Sequence, residues 1–296
     1  MNRHVIALLR PQQWLKNAFV FTPLFFDRRL ADWGYVWPCV LACLAFCLAA
    51  SGIYCLNDIR DIEADRRHPV KRMRPVASGA VGIRTAYATM AAAWMAAFAL
   101  VALGGFRCDS VRLGLAGTLL LYIVVNVAYS VKLKQISILD VFIVAAGFVL
   151  RVVAGGLAAG ISLSHWIVLT TFLLALFLAL AKRRDDVAVF EASGVKARKN
   201  VGCYNMDFLG AAIGIQGSVT TVCYILYTVS DDVVERTHSH YLYATSVFVL
   251  AGILRYMQLA FVRQKGGSPT KVLLHDRFMQ ICVAGWLTAF AIVLYV

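Results

Sequence analysis

The chain has 296 residues, of which 60% are hydrophobic and 15% charged, with a net charge of +13. That is too apolar for an ordinary soluble domain. A basic surface tied to a bilayer is not expected to meet nucleic acid, so the charge needs another explanation.

Taken in chain order, apolar runs near the roughly 20 residues needed to cross a bilayer predict nine spans. They cover 14–31, 34–57, 83–105, 110–130, 137–159, 164–182, 206–230, 241–262 and 276–296. The first is interrupted by Pro23 and closed by Asp27, Arg28 and Arg29. Lipid-facing backbone must satisfy its own hydrogen bonds, so each span is expected to be a helix. The short alternating segments of a transmembrane barrel are absent. Met1 to Arg10 is too short for a cleavable signal peptide and runs into Pro11. The expected fold class is an all-α integral membrane protein, with residues 1–296 forming a single transmembrane domain. Two loops on one side are long, about 57–82 and 183–205, and the loops on the other side are short. Gly156/Gly160 and Gly210/Gly214 have the spacing that lets helices pack closely.

Charge placement gives the expected orientation. Most of the 29 basic residues fall in the N-terminus and in the loops after the second, fourth, sixth and eighth spans. The opposite loops carry Arg28, Arg29, Arg107, Arg112 and Arg236. Positive loops stay inside, so the N-terminus is expected in the cytoplasm and the C-terminus outside a cell (inner) membrane crossed many times. The eight cysteines include Cys39, Cys43 and Cys47, spaced by four along the second span. With no CxxC pair, they read as buried small residues and free thiols rather than a metal stripe.

Four acidic residues arrive within Asn57-Asp58-Ile59-Arg60-Asp61-Ile62-Glu63-Ala64-Asp65, directly after a charge-free apolar run. If the helix continues, Asp58, Asp61 and Asp65 share one face. Clustered carboxylates repel one another unless a cation lies between them. Oxygen ligands suit Mg²⁺, which binds one or two carboxylates plus substrate phosphates. The alternative, a solvated helix end with surface ion pairs, seldom needs three carboxylates on one stripe. Lys71, Arg72 and Arg74 follow and are suited to an anion.

Three further constellations stand on the same side. Lys182-Arg183-Arg184-Asp185-Asp186 ends the sixth span as the first motif ends the second. Asp185 and Asp186 are candidate metal ligands, and Lys182 and Arg183 candidate phosphate partners, against a bland basic flank. Tyr129-Ser130-Val131-Lys132-Leu133-Lys134 offers Tyr129, Lys132 and above all Lys134 as a phosphate clamp, or else an interfacial anchor. Lys16 and Asn17 lie just inside the first span, where polar groups are costly without a partner, and are candidate contacts for an anionic substrate. Asp140, Arg151 and Arg255 are charges inside spans and so functional candidates, and Asp140, nearest the basic side, is expected to reach the active site. For Arg151 a functional role and a buried structural pair weigh equally.

The stretch Asn57 to Asp65 resembles the NDxxDxxxD signature of the UbiA superfamily of intramembrane prenyltransferases. Within that superfamily, Leu9–Asn17, the run from Arg66 to Gly79, the Tyr129–Lys134 block and Lys182-Arg183 are similar to the branch that transfers phosphoribosyl groups. The resemblance covers essentially the whole chain. It implies a nine-transmembrane-helix UbiA-type bundle with a cytoplasm-facing polar cavity. It implies Mg²⁺ held by Asn57, Asp58, Asp61 and Asp65, with Asp58, Asp61, Asp65 and Lys134 catalytic. Lys16, Asn17, Lys71, Arg72, Arg74, Tyr129, Lys132, Lys182 and Arg183 would bind substrate. The second motif departs from the superfamily's DxxxD, because Asp185 and Asp186 are adjacent and no acid follows until Glu191. That leaves its metal ligand open.

The reaction so implied is transfer of 5-phosphoribosyl from phosphoribosyl pyrophosphate to a polyprenyl phosphate, releasing diphosphate, for lipid-linked pentose in the cell envelope. The partners are those two substrates and the lipid bilayer, with a homo-oligomer left open. One alternative is an aromatic prenyltransferase of quinone or haem biosynthesis, and another is a non-catalytic lipid-phosphate carrier.

Overall fold

The computed structural model describes residues 3–67, 71–193, 199–237, 239–263 and 269–295. His68, Pro69 and Val70 of the basic extension, and 194–198 of the second long loop, lie outside the described residues. Every regular element among the described residues is helical. Among the described residues, eight helices are long and apolar enough to cross a membrane.

Contacts gather into two compact units. The first comprises Met1–Lys134 and Ala146–Leu163, and the second Gln135–Ala145 and Ser164–Val296.

The first unit opens with α1 (Arg3–Leu9), a 3₁₀ helix (Pro11–Phe21) and α2 (Thr22–Phe26). This is where the first expected span differs from an ordinary one. In place of 14–31 stand a 3₁₀ helix of 11 residues that begins at Pro11 and an α-helix of 5 that ends at Phe26. At about 2.0 and 1.5 Å rise per residue the run reaches roughly 30 Å, a bilayer's hydrocarbon thickness. The segment has a span's length without an α-helix's winding. Polar ties to its neighbours, described below, hold it there.

The long helix α3 (Trp33–Arg60) follows, and Asp32 caps it by accepting from Gly34 N at 2.8 Å. Its middle is buried on most sides and forms the core with α5 (Ile83–Leu103), α6 (Asp109–Val131) and the second half of α7 (Leu139–Ala159). Phe46, Leu115, Leu119 and Ala154 are essentially sealed. Phe46 packs on Tyr122 with ring centroids 5.2 Å apart. Two glycines permit the closest approaches. A Cβ at Gly155 would stand 1.9 Å from the Val20 carbonyl oxygen, and one at Gly52 would stand 2.2 Å from Trp94 Nε1. The expected pair Gly210/Gly214 is not such a place: Gly214 has nothing within 4 Å of a built Cβ. Between α3 and α5 lie the short α4 (Ile62–Arg67) and a 3₁₀ turn, Lys71–Met73.

The second unit packs α8 (His165–Ser193), α9 (Met206–Val229), α11 (Ser246–Phe261) and α13 (Arg277–Tyr295), with short α10 (Asp231–Thr237) and α12 (Pro269–His275). Asn205 caps α9, accepting from Phe208 N at 2.7 Å. Tyr224 ties three elements: its hydroxyl lies 2.6 Å from Thr245 Oγ1 and accepts from Trp286 Nε1 at 2.7 Å. Arg255, read from the sequence as a charge within a span, forks onto Asp276 through Nε at 3.1 Å and Nη2 at 2.7 Å. The largest difference from the expected boundaries is α8. It was expected to end at 182, yet it continues to Ser193, so Lys182 to Asp186 stand within a helix rather than opening a loop. Ion pairs to Arg183 make that charged stretch compatible with helix.

Candidate active site

The end of α3 presents the acidic motif. The helix proper stops at Arg60, and Asp61 is its C-cap, with φ −97° and ψ 10°. The winding nevertheless carries through, since Asp61 N bonds Asn57 O at 2.9 Å and Asp65 N bonds Asp61 O at 2.7 Å. Asp58 and Asp65 are buried, and Asp61 is partly exposed. The three carboxylates take different partners. Arg74 Nη1 lies 2.7 Å from Asp65 Oδ2 and 3.5 Å from Asp58 Oδ1, so it bridges the two buried acids. Arg10 also donates to Asp58 Oδ1 and rests on the Tyr54 ring, 5.0 Å from its centroid. Asp61 turns to Lys134, whose Nζ lies 2.8 and 3.1 Å from its two oxygens.

Among the described residues no three of His, Cys, Asp and Glu converge as a ready-made metal cage. The donor chemistry still fits a hard divalent cation. Asp58 Oδ2 is buried and has no hydrogen-bond partner. A buried carboxylate oxygen left unpaired is costly. Mg²⁺ ordinarily takes only one or two carboxylates and fills its remaining positions with water and phosphate oxygens.

The other predicted residues of the first unit distribute as follows. Asn57 is half-buried, and its carbonyl serves the helix end. Lys71 and Tyr129 are half-buried, and Arg72 and Lys132 are exposed. Lys16 is half-buried. Asn17 is fully buried: its Oδ1 accepts from Arg151 Nε at 2.7 Å, and its Nδ2 lies 3.1 Å from Cys47 Sγ.

The second unit holds a separate carboxylate network. Asp140, in the first turn of α7, is fully buried. It accepts from Arg183 Nε at 2.7 Å and Asn200 Nδ2 at 3.1 Å through Oδ2, and from the Tyr204 hydroxyl at 2.7 Å through Oδ1. Arg183 Nη1 reaches Asp186 at 2.8 Å. The Tyr204 oxygen in turn accepts from Ile138 N at 2.6 Å. Burial, together with the hydrogen bond to Asp140, pushes the Tyr204 hydroxyl up to about 12, so it stays protonated and donating. Arg183 is thus spent on two carboxylates, whereas Lys182 is exposed and Asp185 half-buried.

Sequence reading did not single out Arg10, Asn200 or Tyr204 for these roles. Arg10 stands 48 positions from Asp58 and Tyr204 stands 64 from Asp140, so no local spacing signals either pair.

The UbiA prenyltransferase family model matches residues 20–282. The chain belongs to the UbiA prenyltransferase family. It is therefore a membrane-embedded transferase. It is 33% identical to the decaprenyl-phosphate phosphoribosyltransferase of Mycolicibacterium smegmatis, over 98% of this chain and 92% of that one. To the enzyme of the same name from Corynebacterium glutamicum it is 32% identical, over 99% and 87%. The fold matches a UbiA homologue from Archaeoglobus fulgidus solved with GPP and Mg²⁺, with a TM-score of 0.69, 20% identity, and 99% and 100% of the two chains covered. In this UbiA member the motif from Asn57 to Asp65 closes the first long helix.

Proposed function

We propose that this UbiA enzyme transfers a 5-phosphoribosyl group from phosphoribosyl pyrophosphate to a polyprenyl phosphate. Full-length similarity to decaprenyl-phosphate phosphoribosyltransferases supports the substrate pair. The observation that carries the chemistry is the unpartnered Asp58 oxygen beside Arg10 and Arg74. Carboxylates with arginines around them suit a diphosphate held through Mg²⁺. Asp58 and Asp65 would hold the cation, with Asn57 next to Asp58 in the chain. When bound, the cation neutralises charge developing on the departing diphosphate.

The chain's own groups do the rest. Arg10, Arg74 and Lys134 surround the acids with fixed positive charge for phosphate oxygens. Asp61 keeps Lys134 aimed at the site. Exposed Arg72 and Lys132, with Lys71 and Lys16, would add positive charge for the 5-phosphate and the lipid phosphate, and Tyr129 a hydroxyl donor. Lys182, Asp185 and Asp186 provide a further polar surface in the second unit. The bond from C1 of the ribose to the diphosphate oxygen breaks, and its electron pair leaves with diphosphate. A lipid phosphate oxygen forms the new bond to C1. That nucleophile is already ionised, so no general base is needed. The bias of basic residues to these loops supports a cytoplasmic position for this chemistry.

The test is pyrophosphate release by purified protein with Mg²⁺, phosphoribosyl pyrophosphate and a polyprenyl phosphate, each omitted in turn. Release that needs all three is expected. Turnover only with prenyl diphosphate and an aromatic acid would assign the quinone-type reaction instead, and lipid movement without release would assign a carrier. Asp61→Ala is expected to impair release in a folded protein, as loss of its tie to Lys134 would, and near-normal activity would remove Asp61 from the site.

A further inference from the structure

Arg151 carries a permanent charge inside a membrane-spanning helix and is 6% exposed. No Asp or Glu pairs with it among the described residues. Its donors go to neutral oxygens: Asn17 Oδ1 at 2.7 Å, Gly147 O at 2.6 Å and the Tyr122 hydroxyl at 2.9 Å. The Tyr122 and Phe148 rings lie 4.8 and 5.3 Å away. Hydrogen bonds and ring faces offset a cost that an apolar side chain would avoid altogether. Such a charge in a span marks a task other than filling space.

Its tie to Asn17 leads back to the carboxylate site. Asn17 belongs to the N-terminal 3₁₀ helix and also meets α3 twice, through Nδ2 to Cys47 Sγ at 3.1 Å and through its carbonyl oxygen, 3.5 Å from Cys43 Sγ. Nearer the acids, Ser51 Oγ lies 2.8 Å from Leu9 O and accepts from Trp14 Nε1 at 3.0 Å. These ties bracket Arg10. Arg10 has φ 52° and ψ 59°, a left-handed conformation unfavourable for a residue with a side chain and more so before a proline. Strain of this kind persists only where the surroundings over-determine it.

We propose that Arg151 is a positioning residue. Through Asn17 it locks the 3₁₀ helix against α3, and that lock holds Arg10 in its strained conformation over Tyr54 and at Asp58. Asn17 is on this account an anchor rather than a substrate contact. The inference rests on the reading that the Asp58 site receives a diphosphate, and it adds that the geometry of this site is set from within the membrane span.

The experiment measures Mg²⁺-dependent pyrophosphate binding to the full-length protein in detergent by calorimetry, beside its melting temperature. Binding is chosen because diphosphate leaves in both the phosphoribosyl and the prenyl reaction. Arg151→Met alone orphans buried Asn17 and risks misfolding, so the main variant is Arg151→Met/Asn17→Leu, which replaces the pair by apolar side chains. Binding about tenfold weaker is expected, matching the loss of one charge-assisted hydrogen bond in Arg10→Gln. Adding Arg10→Gln to the pair variant is expected to weaken binding no further than Arg10→Gln alone. A merely structural role predicts multiplied losses, and that result overturns the proposal, as does an unchanged affinity in the pair variant. Wild-type binding without phosphoribosyl transfer would sink the proposed reaction and leave this inference standing.

Discussion

The two units each bury an aspartate beside an arginine, and they use it in opposite ways. In the first, Asp58 meets Arg10 and Arg74 through one oxygen and leaves the other without a partner. In the second, both oxygens of Asp140 are taken, by Arg183, Asn200 and Tyr204. A saturated buried carboxylate is a scaffold, because every added bond lowers its demand for anything else. An unsaturated one keeps that demand and meets it with a ligand. The same pair of residue types therefore reads as binding site or structural tie according to what remains unpaired.

The contrast breaks first at Asp58. Asp58→Asn keeps the shape and removes the charge, and pyrophosphate release is expected to fall about 10³-fold, ~4 kcal/mol of transition-state stabilisation. Release within tenfold of wild type would erase the distinction between the units. Asp140→Asn should do the reverse. It leaves Arg183 with one carboxylate fewer in a buried place, and a loss of about 3–5 kcal/mol of stability is expected, read as a fall in melting temperature. A variant that melts normally but loses substrate affinity would move Asp140 into the binding site.

Tyr204 sharpens the comparison by pH. Its folded pKa of about 12 stands above the ordinary tyrosine value near 10. Its contribution is full below the ordinary value and is lost as pH rises through the folded one. Thermal stability of wild type is thus expected to keep this contribution up to about pH 10 and to lose it above. Tyr204→Phe should melt lower by roughly 1–3 kcal/mol of stability and lack that alkaline component. The smallest stability effect belongs to Lys134→Ala. The Lys134–Asp61 pair is partly exposed, so it contributes about 0–1 kcal/mol to folding. A melting point near wild type with impaired release is the expected split.

Some of this was legible in the residues alone. Seven of the expected spans recur as α3, α5, α6, α7, α9, α11 and α13 with small changes at their ends, since unbroken apolar runs leave the backbone no other way to satisfy itself in lipid. α8 overran its expected end because Asp140 and Asp186 neutralise Arg183, and partners so placed are invisible to hydropathy. The segment 14–31 departed because its winding is held by polar ties to α3 and α7, and no periodicity encodes those.

Local chemistry, then, belongs to the sequence by itself: the membrane-spanning helical character, the bias of positive charge to one side, and the acidic run from Asn57 to Asp65 amid basic residues. These follow from composition and short spacing, which act between chain neighbours. Tertiary structure alone decided which carboxylate is left wanting. Arg10, Arg74 and Lys134 reach the acids across 48, 9 and 73 positions, and Asp140 finds Tyr204 across 64. Whether a buried charge is satisfied depends on every donor that folding brings within 3 Å or so, and that sum exists only once the helices have packed.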